Sequence, residues 1–415
     1  MSNSLNTKKI LSYGLILLFL TSVDTVIFGT NANRAALFIP RTLGLLAIFL
    51  FPILKSKSFR KIHIQVSNIW AIVLMISIMT ISSIINEEML VTYISRIVTV
   101  LLAYVICQTI PRKSFAIIFD KFMTLVASFA ILTEVLAYLF PTVLRILPKV
   151  TNSANGIFYT YFFGSIQATN IGRQLIRSNG IFWEPGAFSI YLIFAILVQL
   201  FILDTINVKK VIVYIVTLIF TFSTTGYVSL GVLLLTYIFS DRSSKMSKWV
   251  KGLFVLFILG FIGLIFMTEN SAIYSDVIGK LTSGTSSATT RYSSIFNGLS
   301  VAFKHPFIGV ASKSQDYMYS YIHSGESNYT NGGTIIANTI VGWSVNYGLI
   351  FGILFLVGTI RFLKSYSHSI FEWLLLSVTV AMAYCGERFF SFFPFIFVFY
   401  GLKSEGDKVN ENSSD

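Results

Sequence analysis

The stretch Arg177-Ser178-Asn179-Gly180-Ile181-Phe182-Trp183-Glu184-Pro185-Gly186 sets a carboxylate beside a tryptophan, directly ahead of an apolar run. Proline suits the first turn of a helix, so Glu184 falls at a helix start, where unpaired N–H groups leave partial positive charge. Such a carboxylate either caps its own helix within an interfacial tryptophan belt or serves as a base or positioning group. Arg291 opens a second candidate. Ile295, Phe296, Leu299, Ala302 and Phe303 share one helical face, and Thr289 or Thr290 supplies the cap, which predicts an amphipathic helix over 291–303 in a membrane interface. An arginine beside free helix N–H groups makes an anion site, and a guanidinium grips phosphate in a two-pronged fork. The plain alternative is a snorkelling interfacial cation. Arg177, and less surely Arg173, point to the same anion.

Other polar residues are single candidates. His323, in the polar run 323–331, is the best-placed free imidazole for proton transfer, unless it is a solvated loop residue. His305 precedes Pro306 in a His-Pro-Phe-Ile-Gly run that reads as a packed turn. Glu387-Arg388 forms either a mutual ion pair or part of the site, and Arg96 either snorkels or faces a cavity. Asp120 and Glu134 share one span, and Asp24 and Arg34 flank the first turn. Thr224-Thr225-Gly226 breaks an apolar run, and non-helical backbone at membrane depth is tolerated only in protein or beside a cavity. No phosphate-binding glycine loop, HExxH, CxxC or nucleophile elbow is present, so neither a metal site nor a cofactor is expected. Cys107 and Cys385 lie in apolar runs and read as small core hydrophobes.

The elements that must position these residues are membrane helices. Of 415 residues 54% are hydrophobic and only 12% charged, about half the roughly 25% of a soluble domain. A mean hydropathy of +0.75 agrees. Soluble enzymes, secreted modules and nucleic-acid binders are excluded, and the net charge of +13 reads as cytoplasmic lysine and arginine. Runs of about 20 apolar residues predict an all-α, polytopic membrane protein of twelve spans: 10–28, 35–54, 65–85, 90–110, 115–140, 187–204, 208–223, 226–240, 249–268, 335–360, 370–385 and 388–402. The pair 208–240 is either two short helices or one kinked helix. With both termini cytoplasmic, most of the 31 cationic residues fall in inside segments, while the short outside turns hold almost none. Two long loops, 141–186 and 269–334, then face outward; each is too short and too polar to build a core. Residues 1–403 form one transmembrane domain, and 404–415 a disordered tail.

With those residues in hand, the chain resembles the O-antigen and capsule polymerase/ligase superfamily (Wzy-type polymerases and O-antigen ligases). RSNGIFWEPGAFSIYL (177–192) resembles the Gly-hydrophobic-Glu-Pro-Gly motif of polysaccharide polymerases, and FSTTGYVSLGVLLL (222–235) the helix break that follows it. RYSSIFNGLSVAFKHPFIGV (291–310) is similar to the arginine-led stretch ending in Pro-x-x-Gly, and ANTIVGWSVNYGLIFGILFLVG (337–358) to the Asn-led span after the large loop. The likeness covers roughly residues 90–390. Where the ligase branch has His-Asn this chain has Ala337-Asn338, which favours the polymerase branch. The resemblance implies an enzyme joining polyprenyl-diphosphate-linked glycans at the outer face of the cytoplasmic membrane. Its partners would be that lipid-linked donor and acceptor, membrane lipids, a chain-length regulator and a flippase, with no nucleic acid.

In that reading Glu184, Arg291 and His323 are the catalytic candidates. Arg177, Arg173, Asn179, Thr224, Thr225, Asn338 and Arg388 would bind substrate. Alternatives are an O-antigen ligase and a lipid-linked oligosaccharide flippase or other transporter. Carriers usually carry repeat symmetry between halves, and none is visible here. A membrane glycosyltransferase using a monosaccharide-lipid donor ranks third, because only Asp24 stands near the first outer loop.

Overall fold

The computed structural model describes residues 2–30, 66–152, 155–161, 163–171, 176–240, 242, 252, 287–327, 334–387 and 390–403. Most of them are helical. The chain runs through α1 (Ser2–Leu20), α2 (Val66–Ile85), α3 (Leu90–Thr109), α4 (Arg112–Leu139) and the single turn α5 (Pro141–Leu144). A small antiparallel sheet follows, β1 (Lys149–Thr151), β2 (Ile157–Tyr161) and β3 (Gly164–Gln167), with β2 in the middle. Then come α6 (Pro185–Leu197), prolonged by a π turn over Val198–Ile202, α7 (Val208–Phe220) and α8 (Thr224–Phe239). The last group is α9 (Ser287–Lys304), α10 (Ser314–His323), α11 (Thr339–Tyr347), α12 (Leu349–Lys364), α13 (Ile370–Tyr384) and α14 (Phe392–Leu402).

Among the described residues three helices are long and apolar enough to cross a membrane: Leu90–Thr109, Arg112–Leu139 and Pro185–Ile202. Five more apolar helices are shorter, Thr224–Phe239 among them. At 1.5 Å per residue a 16-residue helix is only about 24 Å long, less than the roughly 30 Å of a hydrocarbon core. Of the twelve expected spans, 35–54 lies outside the described residues, as does 249–268 apart from residue 252. Region 208–240 resolves into two short helices. Region 335–360 is also split, at Gly348 (φ +89°), because the His305–Val310 turn presses into the break. A Cβ on Gly348 would stand 2.6 Å from the Phe307 carbonyl carbon, and Leu349 N–H donates to the Pro306 carbonyl at 2.7 Å.

The core is aromatic and centres on α6 and α14. Nearly all of Pro185–Ile202 is buried, and so are Phe392, Phe393, Phe395, Phe397 and Phe399. Phe393 stacks on Tyr191 at 4.4 Å and meets Phe194 edge-on at 5.2 Å, an offset that suits the ring quadrupoles. Around this centre the outer helices turn apolar side chains outward, among them Trp70, Ile84, Leu132, Val135, Ile353 and Leu374. So many exposed large apolar side chains fit a lipid surround.

Contacts sort the helix ends into two faces. On the loop face, Thr25 pairs with Phe182, Asn86 reaches the Gly309 carbonyl, and Ile176 N–H donates to the Tyr138 hydroxyl. On the opposite face, Arg112 bonds the Tyr400 carbonyl, Lys113 pairs with Asp204, and Arg242 donates to the Tyr366 carbonyl.

The loops do more packing than their composition suggests. Ile166, Ile171 and Ile176 bury against Ala137 and Leu144, and Val301, Ala302, Val310, Met318 and Ile336 bury against Val341 and Val345. Each loop forms a small core by borrowing apolar surface from helix ends. Helix α9 starts at Ser287, earlier than expected, and buries Ser293, Ser294, Asn297, Val301 and Ala302, while Phe296 and Phe303 stay exposed. Its small polar residues face the protein, and only part of the predicted apolar stripe does. The tail 404–415 lies outside the described residues.

Candidate functional site

A three-residue turn after α13, Cys385-Gly386-Glu387, gathers side chains from across the chain. Arg291, in the first turns of α9, brings Nη2 to 3.5 Å from Glu387 Oε1, with both side chains largely buried. Thr339 donates its hydroxyl to the Glu387 carbonyl at 2.7 Å. Asn338 donates its amide to Cys385 Sγ at 3.2 Å, while its own oxygen caps α11 by accepting from Val341 N–H. Gly386 lies against Thr225, whose Oγ1 would be 2.9 Å from a Cβ placed there. Thr225 is tied through Ser223 to Ser189, and Ser223 caps α8 by accepting from Gly226 N–H.

Glu184 completes the cluster. It occupies the N-cap position of α6 in extended conformation (φ −153°, ψ 157°), ahead of Pro185, yet its side chain makes no capping bond. Pro185 opens the helix, and the Glu184 carboxylate lies beside Gly186 without making a capping bond. A Cβ on Gly186 would lie 2.8 Å from Glu184 Oε1 and 3.2 Å from Glu387 Oε1. Two carboxylates thus share the space that Gly186 leaves, with Arg291 on Glu387. The N-termini of α6, α8 and α11 all meet here, and aligned helix starts favour negative charge. Glu184 is therefore not consumed as a cap.

Several other expected residues are engaged elsewhere. Arg177 sends Nε to the Thr221 carbonyl at 3.3 Å and Nη2 to the Phe222 carbonyl at 3.4 Å, closing the C-terminus of α7. Asn179 is buried and donates to Ser165 Oγ and the Phe182 carbonyl, both at 2.7 Å, fastening the Glu184 segment to β3. Thr224 opens α8. His323 ends α10 in an exposed position, its Nδ1 2.9 Å from the Tyr319 carbonyl and its ring stacked on Tyr319, and no described contact links it to Arg291. Arg173 and Arg388 lie outside the described residues. The side chains of Thr289 and Thr290, expected to cap Arg291's helix, do so as well.

Two expectations change. Arg96, expected to snorkel or to face a cavity, is engaged inside the protein: it pairs with Glu88 at 2.9 Å, bonds the Tyr347 hydroxyl and lies over Phe390. Cys107 is buried in the core, but Cys385 is only partly covered and belongs to the turn that holds the site. His305 is pushed below the ordinary histidine range by burial and by Lys304, and meets Tyr317 edge-on, in keeping with a packed turn. Among the described residues no three His, Cys, Asp or Glu side chains group as metal ligands would.

Sequence reasoning named Glu387 only as an alternative and did not select Gly186. The signal for Glu387 was its place at a loop-face helix end, the same criterion that selected Glu184 and Arg388. Neither a protein-family model nor a curated protein matches this chain.

Proposed function

We propose that this chain is a multi-pass protein of the cytoplasmic membrane, with its loop face outward, that polymerises polyprenyl-diphosphate-linked glycan repeats into O-antigen, capsule or exopolysaccharide. The observation that carries the reading is the meeting of Glu184, Glu387 and Arg291 at three helix N-termini on the loop face. Glycan transfer from a lipid diphosphate needs two things: a base for the acceptor hydroxyl and fixed positive charge for the leaving group. Glu184 takes the acceptor proton, and the acceptor oxygen forms its bond to the anomeric carbon. The bond from that carbon to the diphosphate breaks, and the leaving oxygen keeps the electron pair. Arg291 and the helix N–H groups receive that charge in a site prepared before the reaction. Glu387 holds the guanidinium in place until substrate arrives.

The motifs at 177–192, 222–235, 291–310 and 337–358 that resemble the polymerase superfamily supply Glu184, Thr225, Arg291 and Asn338. All four meet the Cys385–Glu387 turn. Deleting the gene tests the proposal: single lipid-linked repeats should collect on the outer leaflet while the ladder of long chains disappears. Collection on the cytoplasmic leaflet would favour a flippase. Orientation is tested with thiol probes on the intact membrane, which should reach Ile146→Cys from outside and Asp204→Cys only after permeabilisation.

A further inference from the structure

Helix α6 carries Glu184 at its start and is buried on every side, with Ser189 and Tyr191 the polar side chains among Ala187–Leu197. A helix with no polar face has no hydrophobic stripe to fix its rotation about its own axis. The direction of Glu184 must be set by something else. Asp24, just beyond the end of α1 and 5% exposed, touches this region twice. Its carbonyl accepts from Trp183 N–H at 3.2 Å, one residue before Glu184. Its carboxylate Oδ2 accepts from the Tyr191 hydroxyl at 2.6 Å, seven residues after Glu184 and therefore two helical turns along the same face.

The neighbouring contacts all reinforce this grip. Val26 N–H donates to the Ile181 carbonyl at 3.0 Å, Thr25 bridges Phe182, and Ser22 donates to Asp24 Oδ2 at 3.4 Å. Tyr191 itself is wholly buried, stacked between Phe182 at 4.3 Å and Phe393 at 4.4 Å. On the far side of α6 the Ser189 hydroxyl reaches Ser223, a weaker hold because that hydroxyl also donates to the Gly186 carbonyl.

We infer that Asp24 is a positioning residue, which through Tyr191 and Trp183 locks the rotation of α6 and aims Glu184 at the space over Gly186. The inference rests on the reading of Glu184 as the reacting carboxylate. Buried polar pairs of this kind are best attested as devices that select one packing among several of similar energy.

The test uses the full chain in membrane vesicles, with Cys107→Ala and Cys385→Ser, and follows maleimide labelling of the thiol in Glu184→Cys. Asp24→Ala and Tyr191→Phe should each raise the labelling rate about tenfold, the scale of one lost hydrogen bond. Together they should do no more than either alone, because they break the same link. Asp24→Asn keeps an acceptor for the tyrosine and should stay within about twofold of the parent. In chains that retain Glu184, Tyr191→Phe should lower kcat with KM unchanged. Unaltered labelling in Tyr191→Phe at normal membrane abundance would overturn the lock, as would independent, additive effects of the two substitutions. Faster labelling with an unchanged kcat would overturn its positioning role. A normal polymer ladder from Glu184→Gln would instead remove the reading of Glu184, while the lock would still be judged by labelling.

Discussion

Asp120 and Glu387 lie on opposite faces of one helical bundle, and each is held beside a cation, but their surroundings differ in kind. Asp120 is buried, and its carboxylate accepts from Gln199 at 2.6 Å, Lys210 at 2.5 Å and Tyr214 at 2.8 Å. Gln199, from the π turn that ends α6, uses its other amide atom to accept from Asn207 N–H, and Tyr214 also meets Thr124. Each of these partners answers another, as a structural ion pair away from water requires. At Glu387 the arginine stands back at 3.5 Å, both side chains keep some solvent contact, and Glu184 shares the space with no described side-chain partner. The difference teaches how the packing around a buried charge sets what that charge is free to do. A tightly bonded network such as that at Asp120 holds helices together, whereas the looser Arg291–Glu387 pair stands at helix N-termini beside a second carboxylate.

That contrast can be broken from the Asp120 side first. Lys210→Ala leaves a buried carboxylate without its cation and should cost about 3–5 kcal/mol of stability. The protein should largely vanish from the membrane on immunoblots, while polymer made per remaining molecule stays normal. Arg291→Lys should do the reverse. A lysine offers a point charge in place of the planar fork, so polymerisation should fall roughly hundred- to thousand-fold with membrane abundance unchanged. A normal ladder from that variant would sink the diphosphate clamp.

Glu184→Gln should lower the rate about hundredfold if the carboxylate is the base, read as ladder formation from lipid-linked repeats. Gly186→Ala sharpens the comparison further. It should firm the start of α6 by about 0.5–1 kcal/mol, yet its Cβ would enter the space shared by the two carboxylates. A roughly tenfold slower but slightly more heat-resistant protein is expected, on the scale of about 1.4 kcal/mol of lost interaction. The smallest effect belongs to His323→Ala, which should change neither rate nor abundance by more than about twofold, since its ring stands exposed against Tyr319.

The helical character, with helices apolar enough to cross a membrane, was readable because apolar runs and scarce charge leave few other folds. Where two readings competed, local pattern could not choose between them. Glu184 has the sequence context of a cap, and only the turn of its carboxylate toward Gly186 shows otherwise. Arg177 has the context of an anion ligand, and only the position of α7 reveals that its guanidinium is spent on the Thr221 and Phe222 carbonyls. Helix α9 shows the same limit. Its apolar stripe did not say which side would meet the protein, and Ser293, Ser294 and Asn297 do so, because small residues allow the closest approach of backbones.

Composition and run length by themselves determined that this is a mostly helical chain with helices apolar enough to cross a membrane, because transfer free energies depend on residue type and not on neighbours. Motif order also brought out Glu184, Arg291, Thr225 and Asn338. Which of these meet was decided only by tertiary structure. Residues 184, 225, 291, 338 and 387 are far apart in the chain, and apolar helices without a polar stripe carry no instruction about which ends adjoin or how each is rotated. Packing around α6 and α14 supplied the first, and buried polar links such as Asp24 to Tyr191 supplied the second.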